Sequence, residues 1–405
     1  MQFRKKERIM CKAVFMVCGI AILAVLATGA VADTDRTYKD AEYVGSKACK
    51  ACHKVTYDSW AETYHSKMVR TKDDGILKAA VEKWDTDGTT PGPKKANVTG
   101  KEFKLEDVQY VVGSYWKQRF LVKNEVTGFH QFMDKQFNRM SEKWENYGNK
   151  NDWETNCVTC HATGVRILEY DPKNPPAQKI AWTEENTGCE TCHGPGAKHV
   201  KGDKKGSMWN PAKQSKAEQT RVCGYCHQRV ENEHYKTAQG NNREDLPAPK
   251  IGETFKPWDD WTKWYPEGVV IPGVQSEDPF NKEYAGDLKG LFILDEQAMK
   301  SGVYDSGKHH QEFQEFIQSK HYKNGKMSCT DCHTPHKGKN IKPVVAKETC
   351  KKCHGDTYDY AKIMPGSGST AANLTVRTHT FFKDQARPSK PTASGAPVLY
   401  KDSKK

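Results

Sequence analysis

Twelve of the fourteen cysteines in this 405-residue chain fall into six copies of one five-residue pattern. The copies are Cys49-Lys-Ala-Cys52-His53, Cys157-Val-Thr-Cys160-His161, Cys189-Glu-Thr-Cys192-His193, Cys223-Gly-Tyr-Cys226-His227, Cys329-Thr-Asp-Cys332-His333 and Cys350-Lys-Lys-Cys353-His354. At this spacing two thiols can form thioethers to the two vinyl groups of one porphyrin, and the adjoining histidine falls beneath the iron as an axial donor. A single copy would also suit zinc or thiol exchange. Six complete copies with no leftover thiol after residue 18 point instead to six covalent c-type haems, each with an iron.

The remaining two cysteines, Cys11 and Cys18, lie in a segment with its own signature. Arg4, Lys5, Lys6, Arg8 and Lys12 precede an apolar run from Ala13 to about Ala27, and Ala30-Val31-Ala32 offers small residues before Asp33. This pattern predicts a signal peptide over residues 1–32, hence a protein of the periplasm or of the extracellular or cell-surface space. The rival is an uncleaved anchor, since Ala13 to Ala32 is about long enough to span a bilayer. Lipidation at Cys18 is a lesser alternative, because Phe-Met-Val precedes it.

Beyond Ala32, Leu, Ile, Val and Phe make up only about 14% of the residues, a share that normally signals disorder. The conflict with the ordered cysteine pattern disappears if flat apolar porphyrins form much of the interior. The expectation is then an apoprotein close to unfolded. The formal charge of +12 is spread along the chain and gives no nucleic-acid signature. Lysine clusters at Lys47, Lys50 and Lys54, and at Lys347, Lys351 and Lys352, are read as solvated surface and haem-propionate partners, with steering of a redox partner as the rival.

Motif starts are separated by 108, 32, 34, 106 and 21 residues, which divides the chain. The expected units are a haem 1–4 region over 33–240, an irregular connecting segment over 241–305, a haem 5–6 region over 306–380 and a flexible tail over 381–405. The fold class expected is mainly α with few regular elements, plus a small β-hairpin between the first two motifs. Its strands are Gln118 to Val122 and Phe129 to Met133. The clearest helix expected is Ser306 to Tyr322, on which His310, Phe313, Ile317 and His321 share one face.

Six motif histidines, His53, His161, His193, His227, His333 and His354, are the proximal candidates. Nine others remain: His65, His130, His199, His234, His309, His310, His321, His336 and His379. His336 lies three residues after His333, about 10 Å even when extended, too short to reach the far face of the same porphyrin. His199 follows His193 by six residues across a Gly-Pro-Gly turn and is also expected to reach a neighbour. His65, twelve residues beyond His53 on an expected helix, would lie about 18 Å away. His130 and His234 fit hydrogen-bonding or surface roles better than ligation, and of His309 and His310 the helical face favours His310.

Several stretches together resemble the multihaem cytochromes of the cytochrome c-554 type. They are Tyr43-Val-Gly-Ser, Trp60-Ala-Glu-Thr-Tyr-His65, Cys192-His-Gly-Pro-Gly-Ala-Lys-His199, and His321 ahead of Cys329-Thr-Asp-Cys-His-Thr-Pro-His336. The resemblance implies a fold organised around stacked haems, mostly bis-histidine ligation, and electron transfer. It implies His65, His199, His321 and His336 as distal ligands, and Val376-Arg-Thr-His379 is similar to a terminal ligand segment. Adding His310 gives six distal candidates for six irons. Those carriers hold four haems and this chain has six motifs, so haem order and partner do not carry over.

The leading expectation is an exported electron carrier between redox proteins. Donors would be a membrane quinol-oxidising complex or another cytochrome, and acceptors an outer-membrane conduit or a mineral. The second is a multihaem reductase of a nitrogen or sulfur oxyanion with one open iron. The third is a subunit of an extracellular conductive haem filament. No catalytic residue is named, because no motif departs from the Cys-x-x-Cys-His form.

Overall fold

A computed structural model describes residues 42–381, apart from 86–90, 115, 175–176, 203–207, 230–231, 237–241, 244–248, 265–291, 293–295, 308–309, 338–342, 358–362 and 370–374. The expected leader over residues 1–32 and nearly all of the expected tail lie outside the described residues. No described helix is long and apolar enough to cross a membrane.

Between the first two motifs the chain builds a five-stranded antiparallel sheet in the order β1 to β5, where a small hairpin was expected. The strands are Val69–Thr71, Tyr110–Val112, Lys117–Lys123, His130–Asn138 and Lys143–Asn146. Val111 pairs with Phe120, Leu121 with Phe132, and Phe137 with Trp144. Successive side chains of a strand face opposite ways. Phe120 and Val122 therefore enter one core with Trp84, Val111, Met133, Phe137 and Trp144. Leu121 enters the opposite core with Val69, Val112, Phe132, Trp153, Val158 and Ile167. Few aliphatic residues suffice because aromatic rings fill both faces: Trp84 meets Phe120 and Trp144 edge-on at 5.0 and 5.5 Å.

This sheet corrects two expectations. Among the described residues short helices predominate, but they are joined by a five-stranded sheet larger than the hairpin expected. Its interior also includes two side-chain cores in addition to whatever porphyrins supply.

The described helices are short. Six matter here: α1 (Ser46–Cys49), α2 (Lys54–Trp60), α3 (Cys189–His193), α4 (Lys216–Gly224), α5 (Glu312–Phe316) and α6 (Pro343–His354). The helix expected over Ser306 to Tyr322 is interrupted. His310 adopts a left-handed φ of 63°, and Ser319 is extended and caps a separate turn by accepting from Tyr322 N. His310 and His321 therefore do not share a helical face. The helix after the first motif stops at Trp60, so His65 is carried by a turn, closed by the Ser66 hydroxyl, whose one proton is within reach of the Trp60, Ala61 and Thr63 carbonyls.

A third, aromatic core of Tyr225, Phe255, Trp261 and Phe313 encloses the fourth motif. Part of the expected irregular segment supplies it: Phe255 stacks on Tyr225 at 3.7 Å, and Trp261 Nε1 donates to the Arg221 carbonyl at 2.7 Å. Packing is close enough that a Cβ on Gly224 would lie 2.3 Å from the Phe313 ring.

Two carboxylates, Glu190 buried and Glu184 partly buried, tie the first motif to the third. Glu190, inside the third motif and 0% exposed, accepts from Val44 N, Gly45 N and Gly196 N at 3.1, 2.7 and 2.6 Å. Glu184 accepts from Ser46 N and Ser46 Oγ, and Ser46 Oγ in turn accepts from Cys189 N at 2.9 Å. A hydrogen bond to a charged acceptor contributes about 1.5–3 kcal/mol, and an orphaned buried donor costs about as much. Glu190→Ala should therefore destabilise the holoprotein by about 3–5 kcal/mol. Denaturant midpoints compared with those of the exposed Glu169→Ala variant would check this, and equal midpoints would refute it.

Candidate functional site

Each motif puts its three groups on one side of a tight helical turn. Residues three and four apart share a helical face, and the histidine N–H bonds the carbonyl of the first cysteine. This bond measures 2.9 Å at His53, 3.1 Å at His161, 3.0 Å at His227 and 2.8 Å at His333. No disulfide consumes the thiols: all twelve motif cysteines are free.

Five motif histidines face another histidine. Ring centres are 6.2 Å apart for His53 and His199, 5.9 Å for His193 and His336, 6.2 Å for His333 and His379, and 6.0 Å for His354 and His321. His227 faces two rings, His65 at 6.3 Å and His310 at 6.5 Å. A metal–nitrogen bond of about 2 Å on each side, plus about 1.1 Å from nitrogen to ring centre, gives about 6.3 Å across a bis-imidazole iron. The pairs of His53, His193 and His333 are nearly parallel, at 18° to 28°, whereas the His354–His321 pair is crossed at 89°.

The donor chemistry fits a porphyrin iron and not a bare ion. Among the described residues no three His, Cys, Asp or Glu groups cluster as a metal site. Two axial imidazoles suffice where a macrocycle supplies the equatorial donors, but not for a zinc ion that takes four protein ligands. Burial also keeps key imidazoles neutral, the form that binds metals. It pushes His65, His161 and His333 down to about 4.

His161 differs from the rest. Its Nδ1 is buried without a hydrogen-bond partner, and among the described residues no histidine ring faces it at these distances. The positive charge of Arg119 also lowers its pKa, after burial itself. Arg119 stacks over Tyr147 with 4.6 Å from guanidinium carbon to ring centre. His309 and the side chain of His234 lie outside the described residues. His130 has both ring nitrogens engaged, Nδ1 with Glu154 at 2.7 Å and Nε2 with Gln109 at 2.7 Å, so it is a structural residue.

Around the ring nitrogens sit groups that motif reading missed. His193 Nδ1 bonds the Trp209 carbonyl at 3.0 Å, whereas His227 Nδ1 bonds the Glu312 carboxylate at 3.1 Å. Burial opposes the charge on both members of the second pair. The bond between them overcomes it, raising His227 and lowering Glu312. Only the helical signal of α5 marked this region, and nothing in the sequence linked Glu312 to a motif 85 residues earlier.

The motifs also touch one another. Sulfurs of different motifs lie close together, Cys49 by Cys189, Cys160 by Cys226 and Cys223 by Cys329. Cys350 and Cys353 lie near enough to Cys332 to raise its pKa, after burial, to about 11. The contacts link motif 1 to 3, 2 to 4, 4 to 5 and 5 to 6. Of the lysine clusters, Lys50 and Lys54 both pair with Asp58, and Lys351 lies 2.6 Å from Asp356.

Six attachment motifs and facing imidazoles define a multihaem c-type cytochrome, a class that carries electrons on covalent haem iron. The family model described as "Cytochrome c554 and c-prime" matches residues 48–100 and 118–194, which include the first three motifs, so over those residues the chain is similar to that family. Among solved structures it is similar to the outer cell wall cytochrome OcwA, at 25% identity and a TM-score of 0.49 over 79% of this chain and 63% of that one. It is also similar to an undecaheme cytochrome from the S-layer of Carboxydothermus ferrireducens, at 21% identity and a TM-score of 0.40 over 80% of this chain and 44% of that one. The chain thus spans less than two thirds of either protein. No curated protein matches it.

Proposed function

We propose that this protein is an exported hexahaem cytochrome that relays electrons between redox partners by hopping along mostly bis-histidine haems. The observation that carries this reading is the set of five motif histidines that each face another histidine at 5.9–6.5 Å. The ligand pairs would be His53 with His199, His193 with His336, His333 with His379, and His354 with His321. His227 would take His65 or His310. An iron capped on both faces exchanges single electrons and offers no position to substrate. The proximity of the motifs would supply short steps, with the fourth motif close to both the second and the fifth.

Export rests on the leader-like segment and on the chemistry of haem attachment. Partners would be a quinol-oxidising membrane complex or another cytochrome, with an outer-membrane conduit or mineral as acceptor. Intact mass of the exported protein should show six covalent haems. Low-temperature paramagnetic resonance should then count at least five low-spin irons; fewer of either would refute the relay.

A second reading is favoured by His161 alone. An iron there with an open face, near the cation Arg119 and the phenol Tyr147, would suit reduction of a small oxyanion. Carbon monoxide added to the reduced protein separates the two. The relay reading expects no spectral change, and the reductase reading expects one haem's worth.

A further inference from the structure

We infer that Glu312 and Glu315, on successive turns of α5, hold two adjacent irons at lower reduction potentials than the others: the iron on His227 and the iron between His333 and His379. The inference rests on the proposed reading of these histidines as iron ligands.

Glu312 accepts the His227 Nδ1 proton at 3.1 Å, and α5 is locked in place by Phe313 N donating to the His227 carbonyl at 2.9 Å. Glu315 is 1% exposed. It accepts from Ser306 N and from His379 N, both at 2.7 Å, and its Oε2 lies 3.6 Å from His379 Nδ1. That last contact is electrostatic, beyond hydrogen-bond range. One short helix thus aims two carboxylates, Glu315 buried and Glu312 half-buried, at axial ligands of neighbouring centres, whose motifs are joined by Gln219 with Ser328 at 2.9 Å and Lys216 with Asp331 at 2.8 Å.

The chemistry follows from donor strength. An imidazole that donates its other proton to a carboxylate becomes a stronger base toward the metal, and a stronger donor favours ferric over ferrous iron. A buried negative charge acts in the same direction, because reduction adds an electron nearby. The protein holds its own comparison: His193 Nδ1 donates to a neutral carbonyl at 3.0 Å and lacks both effects. The two irons would then form a low-potential step within the relay, with electrons resting on the centres to either side.

Spectroelectrochemical titration of the six-haem holoprotein tests this. Glu312→Gln keeps the size and an acceptor oxygen but removes the charge. One of the one-electron components should become about tenfold easier to reduce, a shift of about 59 mV. Glu312→Asp should move the same component less, and Glu315→Gln should move a different one. The wild-type protein gives an independent readout. One of its low-spin ferric signals should show the smaller g-anisotropy of an imidazolate-like ligand, and Glu312→Gln should abolish it. Components unmoved by the substitutions, a uniform shift of all of them, or no such signal in the wild-type protein would each overturn the inference. A wild-type protein lacking haem at the fourth motif by peptide mass would instead overturn the ligand reading beneath it.

Discussion

The double substitution Cys223→Ser and Cys226→Ser should unfold the carboxyl-terminal half of the protein and leave the five-stranded sheet folded. The fourth motif is where that half is held together. Gln219 Oε1 accepts from Ser328 Oγ and Thr330 Oγ1 at 2.9 and 2.8 Å, and Lys216 pairs with Asp331 at 2.8 Å, joining α4 to the fifth motif. The aromatic core of Tyr225, Phe255, Trp261 and Phe313 closes around the same turn. A porphyrin buries several hundred Å² of apolar surface, which at about 25 cal/mol per Å² contributes on the order of 10 kcal/mol. Whole domains are stable by about 5–15 kcal/mol, so losing one such group there removes most of what holds this half.

The sheet is built differently. Phe120, Leu121, Phe132, Met133 and Phe137 are at most 1% exposed and pack on both faces without help from the fourth motif. Hydrogen exchange with peptide resolution should show protection kept over residues 117–146 and lost over residues 209–229, 249–264 and 310–337. Uniform protection throughout, or loss in the sheet as well, would contradict this account. The same reasoning revises the expectation of a nearly unfolded apoprotein, which should retain the sheet.

His336→Ala should convert one low-spin iron into a high-spin iron that binds carbon monoxide, one more than the wild-type protein shows. Its ring lies 5.9 Å from His193 at an interplanar angle of 18°, the closest and most parallel of the pairs, and the Trp209 carbonyl fixes the His193 ring. Burial, then the nearby His193, holds the His336 pKa below its usual value, which keeps its lone pair available. No other described histidine faces His193, so none can replace it. Absorption spectra of the reduced variant with and without carbon monoxide would measure the change. An unchanged low-spin count would show that His336 and His193 merely stack.

How far the sequence reached can be judged residue by residue. Chain length for His336 and the Gly-Pro-Gly turn for His199 point past their own motifs, and the structure sets them beside His193 and His53. For His65 and His310 the one-ligand-per-iron allocation does not emerge, since both rings face His227 while no described histidine faces His161. The helix drawn through His310 and His321 rested on periodicity, which does not register the left-handed residue and the serine cap that divide it. The sheet was underestimated because its strands carry polar residues at buried sites, such as Gln118 and Gln131, each 0% exposed. Gln118 is satisfied by donating to the Gly75 carbonyl at 2.7 Å, a partner that alternation in the strand does not reveal.

The amino-acid sequence alone determined the covalent chemistry, because thioether attachment needs two thiols and an imidazole at fixed local spacing. Local spacing is what a sequence records directly. Only tertiary structure decided which imidazole stands opposite which, which motifs lie together, that Glu312 and Glu315 direct negative charge at two of the histidines, and that Glu190 ties the third motif to the first. The carboxylate contacts alone join residues 64 to 145 positions apart. They depend on how the sheet and the aromatic core orient each turn, and no pattern confined to one stretch of chain encodes that.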